Sequence, residues 1–144
     1  MSKATIKLNK ETGLGTLEYN GETYQCGGMP GFNYPKDTTI DTTQDEGKPD
    51  HAKVKQEMHL SGEFVDQNGN PFPMPYSVSW IGYKGVFIHE MAQLEGSHGC
   101  IHLLPGDAKK FYDSFNGKVK QHTFIISTSI PNNSRINNIN LQLT

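Results

Sequence analysis

Short stretches of alternating apolar and polar positions dominate the chain, and they predict strands. Tyr76 to Trp80 alternates with period two, while Leu17-Glu18-Tyr19 and Thr23-Tyr24-Gln25 flank Asn20-Gly21. Asn-Gly between short strands predicts a type I′ hairpin, because both turn residues need positive φ. Further strand signals sit at Met58-His59-Leu60 and Glu63-Phe64-Val65, followed by a turn at Asn68-Gly69-Asn70-Pro71. Gly85 to His89 reads as a buried strand ending on a polar residue, and His122 to Ser129 as a last core strand. The clearest helical period joins Ala108, Phe111, Tyr112 and Phe115. It predicts a helix over Pro105 to Phe115, with Pro105 in the first turn, Asp107 against the N-terminal dipole and Asn116-Gly117 as the stop. Gly27-Gly28-Met29-Pro30-Gly31 breaks regular structure, and residues 32–53 read as a long surface loop. The Asn-rich tail, residues 131–144, carries Ile136, Ile139, Leu141 and Leu143, which can pair with a sheet edge. The expected fold class is mainly β, a compact sheet or sandwich with one helix, in a single domain over residues 1–144.

Composition sharpens this reading. The apolar fraction is only 34%, but aromatic residues make up 10%, which suits a soluble strand-rich domain rather than a disordered chain. A formal net charge of -2 offers no basic field for nucleic acid or anionic lipid, so no nucleic-acid partner is expected. No apolar run is long enough to span a membrane. The stretch from Met1 to Leu8 lacks the apolar core of a secretory signal. The protein is then expected to stay inside, to leave by a leaderless route, or to have lost a leader. Two cysteines, Cys26 and Cys100, are too few for a disulfide scaffold, and nothing in their spacing demands a bridge.

The chemistry concentrates between Phe87 and Phe115. A thiol must be deprotonated to attack, so a reactive Cys100 needs a nearby base, and His89 and His98 are both candidates. His98 and Cys100 are two apart, on one side of an extended backbone. His89 closes a strand and leads into a short loop, Glu90 to Gly96, that can return the chain beside it. Gly99 leaves room for backbone N–H groups to approach a substrate carbonyl as an oxyanion hole, and Ser97 can hold the turn through its hydroxyl.

Ser97-His98-Gly99-Cys100 followed by an aliphatic residue, and preceded by a strand ending in histidine, resembles the signature of L,D-transpeptidases. The likeness extends to Leu104-Pro105, Asp107-Ala108 and Phe111-Tyr112-Asp113, and upstream to Gly62-Glu63-Phe64, Met74-Pro75-Tyr76 and Gly82 to Val86. It covers roughly residues 58–128, with the first half matched only loosely as β structure. The resemblance implies an enzyme whose cysteine forms a thioester with a peptidoglycan stem peptide, releasing the terminal D-alanine. An amine then resolves the thioester by cross-linking or D-amino-acid exchange, or water does so in carboxypeptidase activity. It implies Cys100 as nucleophile, His89 as base, His98 shaping the pocket, Gly99 with Cys100 presenting oxyanion N–H groups, and Ser97 and Tyr76 near the substrate. It also implies no cofactor or metal, a periplasmic or cell-wall site of action, and acylation of Cys100 by carbapenems.

Two departures from the family pattern bear on substrate grip. Only seven residues separate His89 from Ser97, where the family usually has a longer insertion, and His102 stands where Arg or Asn is usual. An arginine there can clamp a carboxylate bidentately, and a histidine cannot. Short-loop, leaderless relatives in outline include antibacterial effectors secreted between bacteria, which would bring a cognate inhibitor protein as partner. Two other readings stand beside the enzyme. His98, Cys100 and His102 alternate and, with His89, form a candidate zinc ligand set, which bound zinc and loss of fold with a chelator would reveal. A non-catalytic peptidoglycan-binding module would instead keep its effect after Cys100→Ala.

Overall fold

Asn20 and Gly21 both take positive φ, 54° and 82°, as the predicted type I′ turn requires. They join β2 (Leu14–Tyr19) to β3 (Glu22–Gly27), so this hairpin is longer on both sides than the alternation alone indicated. The computed structural model describes residues 2–34, 38–41, 55–81, 86–114 and 121–127. β1 (Ser2–Leu8), which the hydrophobic pattern did not single out, pairs antiparallel with β2 and parallel with β9 (Gln121–Ser127). Within the segment read as a surface loop, Thr38–Asp41 forms a strand, β4, against β9. Edge pairing supplies it with backbone partners, which the weak side-chain pattern could not signal. The rest of that segment beyond Tyr34, and the tail at 131–144, lie outside the described residues.

The two apolar runs at 58–60 and 63–65 belong to one strand, β5 (Lys55–Val65), antiparallel to β6 (Pro71–Ile81). Their register breaks between Leu60 and Val65. Asp66 Oδ1 accepts the Asn68 and Asn70 N–H groups and Gly69 takes φ 82°, which fixes the turn joining them. β7 (Val86–Glu90) runs through His89 by one residue, and β8 (Ile101–Leu103) starts directly after Cys100. Among the described residues the sheet has nine strands in the order β4-β9-β1-β2-β3-β8-β7-β6-β5. It is mixed: among the described residues β1 with β9 and β7 with β8 are the parallel pairs, and the other neighbours run antiparallel.

The helix α1 covers Asp107–Ser114, two residues shorter at its start than predicted. Gly106 takes φ 90°, outside the helical region, so Pro105 belongs to the preceding turn; Phe115 lies outside the described residues. The predicted apolar face holds for its described members. Ala108 and Phe111 are buried, and Phe111 meets Tyr19 and Tyr24 edge-on, with ring centroids 5.6 and 5.9 Å away. They join Ala4, Ile6, Leu17, Val78, Ile88 and Ile101 in one core cluster. Truncating a fully buried Phe111 would cost about 3–5 kcal/mol. The helix thus clamps the segment that follows Cys100 onto a sheet whose inner strands include β7 and β8.

Candidate active site

β7 and β8 lie side by side in parallel register, with Ile88 opposite Ile101 and His89 opposite His102. Equal register places the two imidazoles on one face, and their rings meet edge-to-face at 5.2 Å. Both are buried. His89 Nδ1 lies 2.9 Å from the Glu90 carbonyl, and His102 Nδ1 lies 3.2 Å from that of Leu94. A carbonyl only accepts, so each Nδ1 carries the proton and each Nε2 keeps a lone pair. Burial drives the His89 pKa down to about 4, opposed in part by the Glu90 bond. Burial lowers His102 too, against its bonds to Leu94 and Gln93. Both rings are therefore neutral at neutral pH.

The loop between these strands is short enough to be fixed at two points. The Met91 N–H donates to the Leu103 carbonyl, and the Leu94 carbonyl receives His102. Leu94 also lies directly on β3: a Cβ at Gly27 would come within 2.1 Å of its carbonyl oxygen. The Gly27-Gly28 pair therefore marks a close approach of backbones rather than only an end of regular structure, and Gly27 itself completes β3 opposite His102.

The turn from Ser97 to Cys100 is held from inside. Ser97 Oγ donates to the Cys100 carbonyl and accepts the Gly99 N–H at 3.0 Å. The Gly99 N–H, expected among the oxyanion donors, here donates within the turn to Ser97 Oγ. Gly99 takes φ 136°, a conformation unsuited to an L side chain. Its carbonyl accepts the Tyr34 hydroxyl at 2.7 Å, and that oxygen in turn accepts the Met29 N–H at 2.8 Å. Tyr34 is buried, and burial pushes its phenol up to about 12, so it stays a donor. No pattern in the sequence marked Tyr34, which stands at the start of the segment read as a loop.

Cys100 is half-buried, with its Sγ 3.5 Å from the Phe87 N–H. Burial raises the thiol pKa, the Phe87 N–H opposes that rise, and the charge of Glu63 adds to it. Neither Cys100 nor the deeply buried Cys26 is disulfide-bonded. Cys100 opens onto a cavity of about 280 Å3. The structure brings His89, His98, Gly99 and His102 to that cavity together with Cys100. Ser97 lies buried behind the turn and is not among the lining residues. Tyr76 is not among them either. At φ 51° it breaks the alternation of β6, and its ring packs edge-on against Tyr112 at 5.6 Å. The far wall comes from the β5–β6 hairpin, through Ser61, Glu63, Phe64 and Phe72. Phe64 stacks on His98 at 5.2 Å, and both line the cavity. Among the described residues no three His, Cys, Asp or Glu side chains are grouped to hold a metal ion.

The family model for the L,D-transpeptidase catalytic domain matches residues 10–126. Among solved structures, L,D-transpeptidase 1 of Mycobacterium tuberculosis is similar with a TM-score of 0.55 at 18% identity, over 88% of this chain and 62% of that one. An L,D-transpeptidase from Mycobacterium smegmatis gives 0.53 at 21% identity, over 88% and 59%. The LD transpeptidase LdtMt1 in complex with imipenem gives 0.55 at 17% identity, over 87% and 59%. At these identities the likeness is one of fold, and the chain spans about three fifths of the length of each. Among curated proteins none matches the chain.

Proposed function

The chain belongs to the L,D-transpeptidase catalytic domain family, and on that premise we propose that it transfers acyl groups of peptidoglycan stem peptides through a thioester on Cys100. The observation that carries this reading is the shared cavity of a Cys100 thiol and a neutral His89 whose Nε2 keeps its lone pair. Burial pushes the thiol up and the imidazole down, so at rest the pair is uncharged rather than a thiolate–imidazolium couple. The proton then moves as the sulfur attacks. Sγ bonds to the carbonyl carbon of stem residue three while its proton passes to His89 Nε2. The bond to D-alanine breaks as His89 returns that proton to the leaving amine. The Glu90 carbonyl keeps the ring in the required tautomer throughout. Gly99 and Ser97 set the backbone of the nucleophile, and His102 presents an acceptor atom where a carboxylate clamp would present donors.

The test is incubation with purified disaccharide-tetrapeptide and a D-amino acid, beside Cys100→Ala, with products read by mass spectrometry. Loss of D-alanine, exchange or dimer formation by the unaltered protein alone is expected. Equal product from both proteins, or none from either, would sink the reading. Because LdtMt1 is known in complex with imipenem, a covalent imipenem adduct on Cys100 is expected here too, visible as added intact mass.

A further inference from the structure

We infer that Glu63 is the docking residue for the amine that resolves the thioester, so that the site passes its acyl group to a primary ammonium in preference to water. The inference rests on the reading of Cys100 as a thioester-forming nucleophile. Its basis is the break in β5. Between Leu60 and Val65 the strand leaves register with β6, and the Ser61 hydroxyl accepts the N–H groups of both Glu63 and Phe64, at 3.1 and 2.9 Å. An irregularity of this kind re-aims side chains that regular pairing would place elsewhere. Here both residues line the cavity, although they are neighbours in sequence. Phe64 lies over His98 at the mouth, and Glu63 is close enough to the thiol for its charge to bear on Cys100.

The charge inventory of the cavity gives the inference its sign. Among the described lining residues Glu63 is the acidic one, no lysine or arginine joins it, and the buried histidines are neutral. Such a cavity attracts a cation and offers a carboxylate nothing opposite in sign. Glu63 sits on the hairpin wall, across from the strands that carry His89, so an ammonium held there reaches the thioester from the open side. The transfer balances without a further reactant. The ammonium yields one proton to the Glu63 carboxylate, and its nitrogen bonds to the thioester carbon. The carbon–sulfur bond breaks, and the second amine proton passes through His89 to the departing sulfur. Glu63 then releases its proton to solvent.

The partition between aminolysis and hydrolysis tests this, because both products form in one reaction and their ratio does not depend on how much enzyme is folded. Disaccharide-tetrapeptide would be turned over with D-phenylalaninol, whose amine is cationic at neutral pH, and separately with hydroxylamine, which is uncharged at neutral pH. Glu63→Gln should lower the aminolysis-to-hydrolysis ratio about fivefold with the cation and leave it unchanged with hydroxylamine. High salt should lower the unaltered protein's ratio with the cation and spare that of the variant. An unchanged ratio in Glu63→Gln, an equal fall with both nucleophiles, or hydrolysis alone in the unaltered protein would each overturn the role of Glu63 while leaving the thioester intact. No Cys100-dependent product at all would remove the proposed function and this inference with it.

Discussion

The two walls of the cavity are built differently. On one side β7, β8 and the Ser97–Cys100 turn place His89, His102 and Gly99 among buried neighbours, each tied through named hydrogen bonds. On the other, the β5–β6 hairpin stands at the sheet margin, and its apolar side chains remain open, with Leu60 56% and Val65 61% exposed. On the proposed mechanism the first wall carries the groups that must hold sub-ångström geometry during bond making. The second presents surface that a substrate can cover. The proposed chemistry is thus housed where buried hydrogen bonds hold the backbone, and the proposed recognition where side chains still have surface to bury.

Removing His89 should strain this contrast most. His89→Gln keeps a polar side chain but loses the base, so kcat should fall about 10²- to 10⁴-fold, with KM for the tetrapeptide little altered. A variant retaining most of its turnover would move the base elsewhere.

Acid should act on the same wall with an effect of about 3 kcal/mol from His89 alone. In the folded protein His89 binds a proton only near pH 4, and in the unfolded chain near 6.5. Between these values the unfolded state holds more protons, so stability is full above pH 6.5 and is lost as pH falls toward 4. His102 adds in the same direction. Urea midpoints measured across that window should drop steadily in the unaltered protein and less steeply in His89→Gln.

Tyr34→Phe strips a buried hydroxyl from between the Met29 N–H and the Gly99 carbonyl. Leaving both groups unmet should cost about 1–3 kcal/mol, and because the Gly99 backbone precedes the nucleophile, kcat should fall with stability. A loss of stability with full kcat would show that the turn is held without it. Phe64→Ala on the opposite wall should have the smallest effect, roughly a threefold rise in KM with kcat nearly preserved. A selective loss of kcat instead would mean that His98, released from its stack, takes part in the chemical step.

The same division governs what the sequence disclosed. The Asn20-Gly21 turn, the apolar face of the helix, and Cys100 with its two flanking histidines were legible because each depends on local residue types at short spacing. Tyr34 was not. Its partner Gly99 lies 65 positions away, and a hydrogen bond to a backbone carbonyl selects no residue type at the far end. The aim of Glu63 was hidden for another reason: Glu63-Phe64-Val65 reads as a strand, and the register break that turns two consecutive side chains to one cavity belongs to the pairing with β6. The family resemblance, not any local pattern, placed Tyr76 near the substrate; its positive φ and its packing on Tyr112 depend on the tertiary fold, and it does not line the cavity. The helix start was misplaced by Gly106, whose φ of 90° cannot be distinguished in sequence from an ordinary glycine within a turn.

The long span between Tyr34 and Gly99 also orders events in time. Contacts between distant parts of a chain form late, after the entropy of closing the intervening loop has been overcome. The strand pairing of β7 with β8 needs only a short loop, so the thiol and its histidine can meet early in folding. The carbonyl just before the thiol is fastened only when the N-terminal strands have docked and delivered Tyr34. A refolding chain should accordingly recover the local β7–β8 and β2–β3 pairings before it recovers a Cys100 that reacts, and the delay between the two reports the closure of the long-range contacts, the Tyr34–Gly99 bond among them.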